Sequence, residues 1–389
     1  MNKIQEVLNR GVENVYPDKQ SLEKVLMSGK KIRLYCGFDP TALSLHIGHA
    51  ITLRKLAQFQ KLGHEVIFLI GDFTAMIGDP TDKVSARKKL TKEQVNKNFK
   101  NYKKQASKIL KFSGKNAAKV MFNSKWNKKL SFMELVNLAS HFTVQQMIAR
   151  DMFKKRIKED KLIFLPEFLY PLIQAYDSVT MDVDLEIGGN DQMFNMLRGR
   201  DLMKKLKNKE KFVLTTKLLV DSSGKKMGKT EGNIVNLDEE PNNMFGQIMA
   251  WPDSLILPGL ELCTDLSLKE IKEIEKLGPR DSKARLAKEI VSIHHDKKTA
   301  EKAEKEFNRI FREKKKPTDI LEIKVNKKIN IIDLILKTKL INSRSAASRL
   351  IDQNAIKIDD QIINDRKKEI TPKKGAILQI GRKKFIKLI

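Results

Sequence analysis

Along residues 30–220 the apolar positions fall into short runs separated by stretches of helical spacing. "IRLYCGF" at 32–38 and "EVIFLI" at 65–70 are strand-like, and residues 46–62 between them repeat apolar side chains every three or four positions. This predicts a strand, helix, strand unit. The alternation continues: "TKEQVNKNFKNYKKQASKIL" is predicted helical, "AKVMF" a strand, residues 131–158 helical, "LEIGG" a strand, "DQMFNMLRGRDLMKKL" helical and "FVLTTKLLV" strand-like. Such a pattern predicts an α/β fold with a doubly wound parallel sheet, in which ligands bind beyond the carboxyl ends of the strands.

The pattern changes after residue 233. "SLKEIKEIEKL", "SKARLAKEIVSIHH" and "KKTAEKAEKEFNRIFRE" are amphipathic with no strand between them, so residues 234–312 are expected to form an all-helical domain. A charged connector, 313–328, then leads to a small α+β tail, 329–389. In the tail "SRSAASRLIDQNAIKIDD" reads as a short basic helix followed by a strand over a core of Ile351, Ile356 and Ile358, and "GAILQIGRKKFIKLI" as a terminal hairpin.

Composition narrows the function. Lys and Arg number 76 against 48 Asp and Glu, a net charge of +28, and residues 312–389 alone hold 21 basic and 9 acidic residues. A general lysine bias explains part of this excess, but its concentration at the C-terminus points to a polyanion such as nucleic acid. Cys36 and Cys263 supply neither a disulfide framework nor zinc-site spacing, which fits a reducing, cytoplasmic setting. No leader-like segment opens the chain and no run approaches the ~18 apolar residues of a membrane span, so a soluble protein without a membrane partner is expected.

Two stretches carry candidate chemistry. "LHIGHAITL" sets His46 and His49 three apart at the start of a helix, in a chain with six histidines. The pair could bind a metal, although no further ligand stands at a familiar interval; it could be structural; or its imidazoles could donate to phosphate oxygens beside the positive end of the helix. The second stretch, "SSGKKMGKT" at 222–230, puts Lys226 and Lys229 on a loop with Gly224 and Gly228, which is either a solvated basic loop or a polyphosphate clamp.

Together the stretches are more specific than either alone. His46-Ile47-Gly48-His49 matches HIGH without substitution, and Lys226-Met227-Gly228-Lys229-Thr230 is similar to KMSKS, with Gly and Thr in place of its two serines. The pair resembles the signature of class I aminoacyl-tRNA synthetases. "YCGFDPT" (35–41), "IGDPTDKVSAR" (77–87), "YPLIQAYD" (170–177) and "IGGNDQ" (187–192) are similar to motifs of the bacterial tyrosyl-tRNA synthetases, in that family's order, and the likeness runs from about residue 30 to the last. The tail resembles the RNA-binding module named after a ribosomal small-subunit protein.

The resemblance implies a Rossmann-like class I catalytic domain over 1–233, with a helical insertion near 130–160, followed by a helical anticodon-side domain and an RNA-binding domain. It implies activation of tyrosine with ATP to tyrosyl-adenylate, then transfer to the 3′ end of the tRNA. His46, His49, Thr41 and Thr52 would meet the ATP phosphates, and Gly48 would let the nucleotide lie against the helix start. Lys226, Lys229, Lys83 and Arg87 would hold the pyrophosphate, with Thr230 beside them, while Asp39 and Asp191 would face the nucleotide. Tyr35 and Asp177 would hold the substrate phenol; Asp79, Tyr170, Gln174 and Gln192 would hold its ammonium group. Arg344, Arg349, Lys383 and Lys384 would contact tRNA. The resemblance further implies Mg²⁺ accompanying ATP, no prosthetic group, no protein-bound metal, and a homodimer.

Three alternatives stay in view. A tryptophanyl relative would share the histidines and lysines without the Tyr35 and Asp177 pair. A noncatalytic RNA-binding descendant would have lost catalytic side chains. A small nucleotidyltransferase would need neither the helical domain nor the basic tail.

Overall fold

The computed structural model describes residues 3–80, 91–224, 227, 234–313, 321–325, 327–371, 373–381 and 384–389. Strands β1 (Val12–Tyr16), β2 (Arg33–Phe38), β3 (Glu65–Ile70), β4 (Lys119–Phe122), β5 (Leu185–Gly189) and β6 (Phe212–Thr216) form one sheet in the order β1-β6-β5-β2-β3-β4. From β2 to β6 all neighbours are parallel. Helices cover both faces of a parallel sheet, which is why β2, β3, β5 and β6 are nearly continuous apolar runs and are almost wholly buried.

The expected parallel sheet carries one addition: β1 pairs antiparallel with β6 at the edge. Its sequence, VENVY, is half polar and mostly half-buried, as suits an edge strand. From β2 the chain runs outward to β3 and β4, then returns to β5 on the other side of β2. The carboxyl ends of β2 and β5 therefore flank the switch point, where such sheets bind ligands.

The helix Ile47–Lys61 starts at that crevice. The 17-residue helix Leu165–Met181 packs on the helix Met193–Lys207 and ends at Asp182, whose positive φ of 49° stops it. Residues 131–158, expected as helical, form three short helices, Phe132–Ala139, Val144–Ile148 and Asp151–Lys158. Ser131 and Thr143 cap the first two, so the segment breaks where the capping side chains stand. Phe132, Met133, Val136, Val144, Leu162, Phe164 and Leu165 are exposed here.

Contacts divide the chain into two units, Met1–Glu301 and Lys302–Ile389. The first unit includes the helices Pro241–Met249, Ile256–Cys263, Leu268–Glu275 and Pro279–His294. Arg10 donates to the carbonyl oxygens of Leu260, Glu261, Thr264 and Leu266, satisfying the orphan end of the helix Ile256–Cys263. In the second unit, the helices Ile331–Lys337 and Arg344–Asp352 and a five-stranded sheet share a core containing Ile351 and Ile356, with Ile358 packed against it. The terminal hairpin forms as expected, Ile377–Ile380 against Lys384–Leu388. Leu321–Ile323 corrects the reading of 313–328 as a plain connector: it pairs parallel with the last strand, where the hairpin leaves an edge to be filled. No helix among the described residues is long and apolar enough to cross a membrane.

Candidate active site at the switch point

His46 caps the helix Ile47–Lys61 through its extended backbone. Its N–H donates to Nδ1 of His49 at 3.1 Å, and the two rings lie 3.7 Å apart between centroids. An imidazole that accepts at Nδ1 carries its proton at Nε2 when neutral, so this contact fixes His49 as an Nε2 donor. A Cβ on Gly48 would come within 3.1 Å of the His46 ring, so the glycine gives that ring its place.

The backbone joins the histidine motif to residues 235–237. Ile47 N–H donates to Val235 O and Leu237 N–H to Leu45 O, each at 2.9 Å. Gln105 fixes both strands of this contact, accepting from Leu45 N–H at 2.7 Å and donating to Asp238 at 2.9 Å. Lys226, Lys229 and Thr230, like Lys83 and Arg87, lie outside the described residues. Met227 is buried, and its N–H donates to Leu219 O at 2.8 Å.

Carboxylates gather beside the histidines. Asp39, directly after β2, accepts from Tyr170 Oη at 2.9 Å and from Thr74 Oγ1 at 2.6 Å. Asp79 accepts from Gln192 Nε2 at 2.7 Å and faces Arg150 at 3.6 Å. Burial first, then the charges of Asp39, Asp79 and Asp177, push the Tyr170 phenol well above its ordinary value. A site with this potential favours a cation. Asp191 lies in the turn Asn190–Gln192, and a Cβ on Gly189 would collide with its carboxylate. Thr41 lies half-buried two residues beyond Asp39, its N–H donating to the Asp39 carbonyl. Thr52, on the helix Ile47–Lys61, donates its hydroxyl to the His49 carbonyl at 3.0 Å.

Deeper in the crevice Tyr35 and Asp177 are sealed from solvent. Asp177 accepts from Trp126 Nε1 at 2.7 Å, Asn127 Nδ2 at 3.0 Å and Asn123 Nδ2 at 3.1 Å. Burial nevertheless outweighs these donors and raises its carboxyl to about 7. Tyr35 Oη lies 2.8 Å from Ser178 Oγ, and burial together with Glu186 and Asp177 pushes this phenol well up.

Sequence reasoning missed the residues that hold this base together. Lys211 and Glu186 form a buried ion pair; Lys211 also donates to Ser178 Oγ at 2.8 Å and Met196 O at 3.3 Å. Gln174, expected at the ammonium group, donates to Glu186 Oε1 at 3.0 Å. A Cβ on Gly199 would collide with Lys211 Nζ and come within 2.9 Å of Ser178 Oγ. One signal was present: a glutamate inside "LEIGG", a strand buried on both faces, needs a cation.

In the second unit Arg344 pairs with Asp333 at 2.6 Å, Arg349 is exposed, and Lys384 donates to Leu340 O at 3.2 Å. Lys383 lies outside the described residues.

The family model described as tRNA synthetases class I (W and Y) matches residues 27–312. The chain is 42% identical to a tyrosine–tRNA ligase of Carboxydothermus hydrogenoformans, covering 99% of this chain and 97% of that one. It is 43% identical to a tyrosine–tRNA ligase of Colwellia psychrerythraea, covering 98% and 97%. The fold is similar to that of a C-terminally truncated mitochondrial tyrosyl-tRNA synthetase of Coccidioides posadasii, with TM-score 0.63, 26% identity, and 78% of this chain and 91% of that one covered. It is also similar to the Archaeoglobus fulgidus tyrosyl-tRNA synthetase solved with L-tyrosine, with TM-score 0.62, 24% identity and coverage of 78% and 98%.

Proposed function

The chain belongs to the class I tRNA synthetases (W and Y) and acts as a tyrosine–tRNA ligase using ATP, and from that premise we propose how its residues carry the reaction. The tyrosine carboxylate attacks the α-phosphorus of ATP in line, so catalysis rests on placing the reactants and stabilising charge. His46, His49 and the N-terminus of their helix meet the phosphates from one side. Lys226 and Lys229, with Lys83 and Arg87, meet the pyrophosphate from the other, supported by the backbone contact that joins 45–47 to 235–237. Mg²⁺ arrives as the counterion of the ATP phosphates. Thr41, Gly48, Asp191 and Thr230 line the nucleotide side, and Asp39 joins it to the amino-acid side through Tyr170.

The observation that carries the tyrosine reading is the polar base of the crevice, where Tyr35 and the triply bonded Asp177 stand among buried apolar strands. Such a base reads a hydroxyl: phenylalanine would leave it unpaired, which in the standard example of this effect, a tyrosyl-tRNA synthetase, rejects phenylalanine by about 10⁵. The test is ATP–pyrophosphate exchange with each of the twenty amino acids. Exchange driven by tyrosine is expected; exchange driven best by tryptophan, or by none, would overturn the assignment.

The finer assembly follows. Catalytic residues 1–233, the helical segment 234–312 and the tail 329–389 divide the work into chemistry, docking and tRNA capture in the cytoplasm. The exposed apolar side chains from Phe132 to Leu165 support a homodimer through that face. Arg344, Arg349, Lys383 and Lys384 meet tRNA phosphates. A chain ending near residue 312 should therefore keep its dimeric mass and its pyrophosphate exchange but lose most aminoacylation. Undiminished charging by that chain would refute the tail's role.

A further inference from the structure

The buried Lys211–Glu186 pair stands directly behind the tyrosine pocket, and the identities of its partners give it a direction. An ammonium group has only protons to give. Lys211 has three acceptors around it, Glu186 Oε2, Ser178 Oγ at 2.8 Å and Met196 O at 3.3 Å. Ser178 Oγ thus receives one proton and has one to pass on. Its possible acceptors are Tyr35 Oη at 2.8 Å and Glu186 Oε2 at 3.4 Å, the latter already held by Lys211. The shorter contact is the stronger, so Ser178 donates to Tyr35.

We propose that Lys211 is a positioning residue that fixes a one-way chain of donors, Lys211 to Ser178 to Tyr35, aiming the Tyr35 proton at the phenol oxygen of the substrate, whose own proton then goes to Asp177. The inference rests on the reading of Tyr35 and Asp177 as the phenol clamp. The reverse order would leave Tyr35 and Asp177 both acceptors facing a phenol with a single proton. Glu186 acts in the same sense on the other side: as a pure acceptor it draws the NH₂ of Gln174, which turns that amide's oxygen away to receive from the substrate ammonium.

Ser178→Ala cuts the chain and leaves the ion pair intact. In pyrophosphate exchange its KM for tyrosine should rise about tenfold, with kcat and the KM for ATP within about twofold, and its preference for tyrosine over phenylalanine should fall about tenfold. Glu186→Gln combined with Lys211→Met, which removes both charges at similar volume, should shift the same quantities. An unchanged tyrosine KM and preference in Ser178→Ala would overturn the proposal. So would equal losses for tyrosine and phenylalanine, or a parallel rise in the KM for ATP, because a packing role predicts these. Asp177→Asn measured alongside separates the two levels. If it collapses the preference while Ser178→Ala does not, only the donor chain falls; if neither moves it, the phenol clamp itself is wrong.

Discussion

Replacing His49 by alanine is expected to slow tyrosyl-adenylate formation by about 10²- to 10³-fold while tyrosine binding stays within about twofold. His49 is held as an Nε2 donor by the N–H of His46 and by ring contact with it. It sits on the first turn of the helix Ile47–Lys61, where the helix dipole adds to any donor that faces an anion. Charge grows on the phosphate oxygens only as the α-phosphorus is attacked, so the loss belongs to the rate rather than to ground-state affinity. The alanine also removes the acceptor for the His46 N–H, a capping loss of about 1 kcal/mol. His49→Gln separates the two effects, because Gln is a usual capping partner at this position. It should recover the melting temperature with little of the rate. Single-turnover adenylate formation that proceeds at the original rate in both variants would remove His49 from the chemistry.

Asp177→Ala should lower kcat/KM for tyrosine by about 2–5 kcal/mol, roughly 30-fold to nearly 10⁴-fold, as truncating one partner of a buried, hydrogen-bonded charge contact does. The same change strands Trp126, Asn127 and Asn123, whose donors all converge on this carboxylate, and that cost falls on the stability of the fold. Proton titration supplies a milder probe. The phenol needs an ionised acceptor, and the carboxyl titrates at about 7, so the KM for tyrosine should rise as pH falls below 7. Stability runs the other way. A carboxyl raised from 3.8 in the unfolded chain to about 7 contributes stability that is fully present below pH 3.8 and is lost as pH rises through 7. Tyrosine recognition and fold stability therefore make opposite demands on this group. A tyrosine KM that stays flat between pH 8 and 6 would contradict the account.

The central strands were legible because burial on both faces writes them as unbroken apolar runs, as in "EVIFLI" and "LEIGG". Strand β1 was not, since an edge strand with one exposed face keeps polar residues and loses the run. The three helices of 131–158 read as one because their apolar spacing continues across capping residues that look like ordinary polar positions. Within the site, local motifs were readable: the histidines share a helix start, and Tyr170, Gln174 and Asp177 share a helix. The supporting groups come from distant segments. Asn123, Trp126 and Asn127 reach Asp177 only because β4 lies beside β3, and Lys211 reaches Glu186 because β6 pairs with β5 in a register that puts Leu185 opposite Phe212. No local pattern encodes such neighbours, although a glutamate inside one apolar strand and a lysine at the foot of the next hint at them.

Gly199 turns this register into a constraint on inheritance. The space a side chain would occupy there is taken by the Lys211 ammonium and the Ser178 hydroxyl, so neither position can drift alone. A mutation that adds a methyl at 199 displaces the lysine and strands Glu186 in an apolar interior, which is costly. Along a lineage, the passable route is to lose the two charges together and to admit a larger residue at 199 only afterwards. Among diverging copies of this enzyme, positions 186, 199 and 211 are therefore expected to change as a set, with glycine persisting wherever the lysine does. A copy that combined an alanine at 199 with an intact lysine and glutamate would have to carry a compensating shift between β6 and the helix Met193–Lys207.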